Sequence, residues 1–115
     1  MTFDFDAGGT PGPAGMSWEA ARKNFYQDLD EASARRAFER LRPTPLIPFT
    51  EICPIDRWPD VPSTCVVMTD DRSVGRDWAR RTAQERMHAD LIELPGGHSP
   101  FYARPVELAE VLVAL

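Results

Sequence analysis

A run of seven residues at positions 63–69, STCVVMT, limits the folds open to this chain, because it is apolar and β-branched almost throughout. Runs of this kind are typical of strands in a parallel sheet whose two faces are both covered. A second short strand is predicted at 90–94. An amphipathic helix at about 76–87 separates the two strands, with Trp78 on its inward face. A strand, a helix and a second strand form a βαβ unit, so we expect parallel strands joined by a right-handed crossover.

The chain is predicted to divide after residue 62. Residues 63–115 should form a βαβα unit, since Pro105 stands at the first position of a final helix. Residues 1–62 should form a cap-like helical region that begins with a loop rich in glycine and proline. Within that loop, residues 2–5 alternate as in a short strand. The expected fold class is therefore α/β, with helices ahead of a strand-helix-strand-helix unit that contains a parallel pair.

Apolar residues recur at helical spacing in two segments of the helical region. The first predicted helix covers about 17–28, where Ser17 is a candidate N-cap. The second covers about 31–41, where Asp30 takes that place. Two prolines then end the periodic pattern, and a short helical turn is predicted near 45–50 in the irregular segment that follows.

Composition and charge exclude several classes of function. The net charge is −5 and no basic cluster follows a helix, so nucleic acid is not an expected partner. No apolar run reaches the roughly 20 residues of a membrane span, and no signal-peptide pattern is present, so no membrane partner is expected. Cys53 and Cys65 lack metal-ligand spacing and are interpreted as reduced thiols of a cytoplasmic protein. His88 and His98 have no third partner, so we expect no metal and no cofactor.

Polar residues follow both predicted strands, at the edge where ligand sites form in parallel sheets. Asp70 and Asp71 end the first strand and His98 comes shortly after the second, so the crossover should bring them to one edge. A carboxylate bonded to one imidazole nitrogen fixes the tautomer, and the other nitrogen can then act as a general base. From spacing alone, two simpler interpretations stay open: an ordinary loop histidine, and an aspartate pair that caps a helix or shapes a turn.

A resemblance adds to this interpretation. From about residue 25 onward the chain is similar to the C-terminal part of an α/β-hydrolase, of the branch with the plant methylesterases, the hydroxynitrile lyases and many bacterial relatives. The segments that carry it are LRPTPL at 41–46, WPDVPS at 58–63, TDDR at 69–72 and LPGGHSPF at 94–101. The resemblance implies a partial α/β-hydrolase fold, with late cap helices ahead of the last two strands. It also implies that Asp71 is the acid and His98 the base of a catalytic triad, with Asp70 beside them.

The chain departs from that family in one large respect. The triad order in the family is nucleophile, acid, histidine, and the nucleophile belongs to a G-x-S-x-G motif that this sequence lacks. Ser17 is interpreted as a helix cap, Cys65 as a core residue of a strand, and Ser99 as a loop residue. We therefore expect the C-terminal fragment of an esterase-like hydrolase. Its intact parent would cleave a small, largely apolar ester or amide, and the fragment alone would be inactive.

The first predicted strand would have an unpaired edge in such a fragment. Two parallel strands alone rarely make a stable sheet, so we expect a homo-oligomer or a complementary N-terminal chain that carries the serine. The alternative function is a non-catalytic remnant, or an interaction module that binds partners at this edge. A lyase parent is also open, because a fold does not fix a function.

Overall fold

The computed structural model describes residues 15–45 and 47–115. The helices and strands in these ranges are, in chain order, α1 (Trp18–Asn24), α2 (Glu31–Glu39), α3 (Ile47–Thr50), β1 (Thr64–Met68), α4 (Arg76–Arg81), a π-helix (Thr82–Arg86), β2 (Asp90–Leu94), α5 (Pro100–Ala103) and α6 (Pro105–Val113). None of the described helices is long and apolar enough to cross a membrane. The strand predicted at 2–5 lies outside the described residues.

The strands β1 and β2 pair in parallel, in a sheet that has two strands within the described residues. The register runs from Thr64 opposite Asp90 to Met68 opposite Leu94. The ladder continues past both strands, because the Asp70 N–H donates to the Gly96 carbonyl at 3.0 Å. The predicted α/β class with a parallel pair is therefore confirmed.

The helix predicted over about 76–87 is not a continuous α-helix. α4 passes directly into the π-helix, and the Met87 N–H closes the wider turn on the Thr82 carbonyl, five residues back, at 3.3 Å. Such turns are rare and usually appear as single insertions inside α-helices. The crossover thus reaches β2 through one widened turn.

Trp78 lies on the side of the helix that meets β1, as predicted, but it does not lie in a closed core. It is 45% exposed, whereas Ala83 in the π-helix is 1% exposed. Trp78 lines an open groove along β1, and within the described residues no further strand covers that side of β1. The indole therefore remains partly in contact with solvent.

Both helices of the cap-like region begin at their predicted N-caps. The Ser17 Oγ accepts a hydrogen bond from the Ala20 N–H at 3.1 Å, and the Asp30 Oδ1 accepts one from the Ser33 N–H at 2.8 Å. These bonds satisfy N–H groups that have no partner inside the helix. α1 is shorter than predicted, because the residues after it form a turn that contacts the C-terminal half of the chain.

A core of small and aromatic side chains lies between α1 and α2. The rings of Trp18 and Phe38 meet edge to face, with centroids 5.6 Å apart, and the Arg35 guanidinium lies 3.8 Å from the Trp18 ring centroid. Ala103 of α5 packs against this core, so it also connects the helical region to the C-terminal unit. The buried residues of the core are Met16, Ala20, Ala21, Tyr26, Leu29, Ala34, Ala37 and Phe38.

The C-terminal helices follow directly after the second strand and its turn. α6 begins at Pro105 as predicted, but the short α5 before it was not predicted. Cys53 is exposed and Cys65 half-buried, and both are free thiols. The division of the chain after residue 62 stays a prediction.

Candidate active site

The carboxylate of Asp71 lies just after β1 and is held by the backbone around it. Its Oδ1 accepts hydrogen bonds from the Ser73 N–H at 2.7 Å and from the Val74 N–H at 2.9 Å. An aspartate that bonds N–H groups two and three residues ahead forms a local turn of the Asx type. The side chain is thereby fixed at the carboxyl end of the strand, with 11% of its surface exposed.

The loop after β2 is built on two buried glycines, Gly96 and Gly97. Gly96 has φ +120°, a backbone conformation that side chains rarely allow. Its N–H donates to the Asp70 Oδ2 at 3.0 Å, and its carbonyl accepts from the Asp70 N–H at 3.0 Å. Asp70 thus ties the loop after β1 to the loop after β2, and this pair of bonds places His98 beside Asp71.

The structure brings the two predicted site residues together. His98 Nδ1 lies 2.9 Å from Asp71 Oδ2 and 3.1 Å from Asp71 Oδ1. An ionised carboxylate can only accept, so Nδ1 carries the proton and Nε2 holds the free lone pair. The His98 side chain is 34% exposed. This arrangement can take up a proton at Nε2 and stabilise the imidazolium that results.

Several influences on the pKa of Asp71 oppose one another. Burial is the largest and raises the pKa, whereas the hydrogen bond from His98 and those from the Val74 and Ser73 N–H groups lower it. The lowering influences together outweigh burial, so the pKa of Asp71 lies below its ordinary value. The carboxylate is therefore charged at neutral pH.

Three residues after α1 contact this loop pair and were not predicted from the sequence. The Gln27 Nε2 donates to the Asp70 carbonyl at 2.9 Å, and the Asp28 Oδ2 accepts from the Gly97 N–H at 2.8 Å. The ring of Phe25 lies 5.2 Å from that of His98, centroid to centroid, at an angle of 32°. The sequence gives little indication of the contact between Asp28 and Gly97, because the two residues are 69 positions apart and Asp28 belongs to no motif.

A groove of about 430 Å³ includes the two site residues in its lining. Its walls come from β1, α4 and the π-helix, and Phe101 lies in it together with Asp71 and His98. The volume is within the range of small-molecule sites, which are roughly 300–1,000 Å³ and mostly apolar. Cys65 lines the groove and is only half-buried, so its predicted place in a closed core is not what the structure shows.

The two serines considered from the sequence, Ser17 and Ser99, have structural roles. Ser17 caps α1, and Ser99 is 2% exposed, with its carbonyl accepting the first backbone bonds of α5. In the described part of the chain, no hydroxyl or thiol side chain is hydrogen-bonded to His98. No group of three or more histidine, cysteine, aspartate and glutamate side chains there could hold a metal ion.

Comparison with known proteins gives a match to a family model. A family model described as the alpha/beta hydrolase family matches residues 2–111. The match spans nearly the whole chain, including the helical region, both strands and both site residues. The comparison with curated proteins gives no match.

Proposed function

The chain belongs to the α/β-hydrolase family, and on this premise we propose that it supplies two members of a hydrolase triad, Asp71 as the acid and His98 as the base. The observation that carries this is the 2.9 Å contact between His98 Nδ1 and Asp71 Oδ2, just after two paired parallel strands. In open α/β sheets, ligands bind at this edge. The lowered pKa of Asp71 supports the role, because a charged carboxylate stabilises the imidazolium formed during catalysis.

The proposed chemistry is acyl transfer through a serine supplied by another polypeptide segment. The serine oxygen attacks the substrate carbonyl while its proton moves to His98 Nε2. The tetrahedral intermediate then expels the leaving group, which takes that proton from Nε2. Water hydrolyses the acyl-enzyme by the same two proton transfers, and Asp71 holds the Nδ1–H of His98 throughout.

The proposed substrate is a small, largely apolar ester or amide. The groove that contains Asp71 and His98 is lined mainly by apolar residues, six of them from β1 and α4. Within the family, we propose a place near the methylesterases and hydroxynitrile lyases and their bacterial relatives, supported by the segments at 69–72 and 94–101. A hydrolase is favoured over a non-catalytic interaction module, because such a module has no use for a carboxylate fixed against an imidazole.

The chain alone is expected to be inactive, because its sequence has no G-x-S-x-G motif. Its rate of p-nitrophenyl acetate hydrolysis should equal that of the His98→Ala variant. Because an imidazole can itself attack this activated ester, a rate that depends on His98 would contradict the absence of a serine or cysteine nucleophile only if an alanine variant of Ser17, Cys65 or Ser99 also abolishes it, and that variant would identify the nucleophile.

The roles of Asp71 and His98 are tested in the presence of a polypeptide segment that supplies the serine. A reading frame upstream of Met1 that encodes G-x-S-x-G would be expressed together with this chain, and ester hydrolysis by the purified pair measured. We expect His98→Ala or Asp71→Asn to lower kcat by about 10⁴-fold or more. His88→Ala is the matched control, since His88 is exposed and is not among the residues that line the groove with Asp71 and His98. Equal rates for all variants would overturn the proposal, and the absence of such a reading frame would favour a non-catalytic remnant.

A further inference from the structure

The peptide group between Gly96 and Gly97, one residue before His98, is held from the helical region. Gly97 is buried, and its N–H donates to the Asp28 carboxylate at 2.8 Å. A hydrogen bond to an ionised acceptor is roughly twice as strong as a neutral one. The orientation of the backbone at His98 therefore depends on a residue outside the two strand-end loops.

The turn that carries Asp28 lies directly against the glycine loop. A Cβ at Gly97 would lie 2.4 Å from the Gln27 Nε2, and a Cβ at Gly96 would lie 3.1 Å from the Asp28 Oδ2. Contacts this close leave little room for independent movement of the two segments. A change in the turn is thus transmitted to the loop.

The imidazole of His98 is held at three points. Asp71 accepts from Nδ1, the Phe25 ring lies against the imidazole with centroids 5.2 Å apart, and Asp28 fixes the Gly96–Gly97 peptide group, one residue before His98. We propose that Asp28 is a positioning residue for His98, which acts through the Gly97 N–H. It keeps Nδ1 directed at Asp71 and leaves Nε2 available. The role of Asp28 in catalysis rests on the proposed function, whereas its effect on the orientation of the His98 imidazole does not.

The test compares Asp28→Ala with Asp28→Asn by NMR of the whole chain. The asparagine Oδ1 can still accept the Gly97 N–H, whereas alanine cannot. Long-range ¹H–¹⁵N correlations give the tautomer of His98 at about pH 8.5, well above the ordinary histidine pKa. Amide exchange measures the protection of Gly97. His88 is the internal control, and His98→Ala assigns the signals.

We expect the Nδ1–H tautomer of His98 in the wild-type chain and in Asp28→Asn. In Asp28→Ala we expect a tautomer mixture and Gly97 exchange at least about tenfold faster, as for loss of one hydrogen bond to a charged acceptor. An unchanged His98 tautomer in a folded Asp28→Ala variant would overturn the inference. If Asp28→Ala does not fold, amide exchange in the wild-type chain is the test. A Gly97 amide that is not protected from exchange would also overturn the inference.

The readout separates this inference from the proposed function, because it requires no turnover. If the His98 tautomer changes in Asp28→Ala but this chain and its serine-bearing partner together hydrolyse no ester, the positioning role of Asp28 is retained and the proposed hydrolase activity is rejected. In an active pair, Asp28→Ala should lower kcat with KM nearly unchanged, and Asp28→Asn should restore most of the rate.

Discussion

The carboxylate of Asp71 accepts hydrogen bonds from the ring of His98 and from the backbone N–H groups of Ser73 and Val74. Burial opposes these donors but does not outweigh them, so the pKa of Asp71 in the folded chain lies below its unfolded value of about 3.9. A carboxylate of this kind stabilises the fold fully above its unfolded pKa. The contribution is lost as the pH falls through the folded pKa.

Substitution Asp71→Asn should therefore change the pH dependence of stability. The variant should be less stable than the wild type at pH 7, and the difference in unfolding free energy should narrow as the pH falls below about 4. Thermal unfolding between about pH 6 and pH 3 measures this difference. Asp60→Asn is the control, because Asp60 is exposed in the irregular segment before β1. Parallel curves for wild type and Asp71→Asn would contradict the role given to these hydrogen bonds.

Glycine 96 is required by its backbone conformation and by its neighbours. An alanine there would be strained at φ +120°, and its Cβ would lie 2.9 Å from the Arg104 Nε. We expect Gly96→Ala to cost roughly 1–3 kcal/mol in unfolding free energy, measured by urea titration. Gly75→Ala is the matched control, since Gly75 has an ordinary φ of −57° and its Cβ would meet open space. Equal midpoints for the two variants would show that the loop relaxes at no cost.

Among the site residues, those at strand ends were predictable and those in the turn after α1 were not. Asp71 and His98 follow the two strands, so the topology of a parallel pair alone predicts that they lie at one edge. Asp28 bonds Gly97 across 69 residues of the chain, and the core between α1 and α2 also packs against Ala103. That contact depends on tertiary packing, so no periodic pattern in the sequence predicts it.

At the scale of elements, α1 depends on a buried cap. Ser17 is 4% exposed, and its Oγ accepts from the Ala20 N–H at 3.1 Å. Ser17→Ala removes this acceptor and should cost about 1 kcal/mol in unfolding free energy, measured by urea titration. Ser17→Thr should retain most of the stability. Thr44→Ala is the control, because Thr44 is exposed after α2 and its hydroxyl bonds the Arg42 carbonyl and caps no helix; a loss in that variant as large as in Ser17→Ala would contradict the cap.

The strands were predicted within one residue of their ends, whereas the π-helix was not predicted. The β-branched composition of β1 is a local property, so the sequence alone indicates a strand there. Residues 76–87 are amphipathic throughout and include no glycine or proline, so their periodicity predicts one α-helix. The widened turn at Thr82–Arg86 reflects how the helix docks on the sheet, with Ala83 buried, and periodicity carries no such information.

At the scale of the whole molecule, one edge of β1 has no partner within the described ranges. The Ser63 carbonyl and the Thr69 N–H both bond β2, so the backbone groups of Cys65 and Val67 face β2 as well. The backbone groups of the β1 residues in between, with Val66 at the centre of the strand, face away from β2. A strand that is uncharged and β-branched, with a free edge, is a template for pairing with another chain.

A second apolar surface lies on α6. No residue of this helix is buried, and Val106 and Val113 are 70% and 88% exposed. Soluble monomers rarely leave contiguous apolar surface of this kind uncovered. The free edge of β1 and this helix face both favour association over an isolated monomer.

We therefore expect the purified chain to associate through the edge of β1, which sedimentation velocity over a range of concentrations would detect. Val66→Pro should abolish that association with little loss of secondary structure, because the Val66 N–H faces away from β2 and makes no bond within the sheet. Val67→Pro is the contrasting control. It removes a bond to β2 and should destabilise the pair of strands itself. A monodisperse wild-type monomer with a cooperative melt at high temperature would contradict this expectation, and it would mean that two strands and their helices suffice for a stable fold.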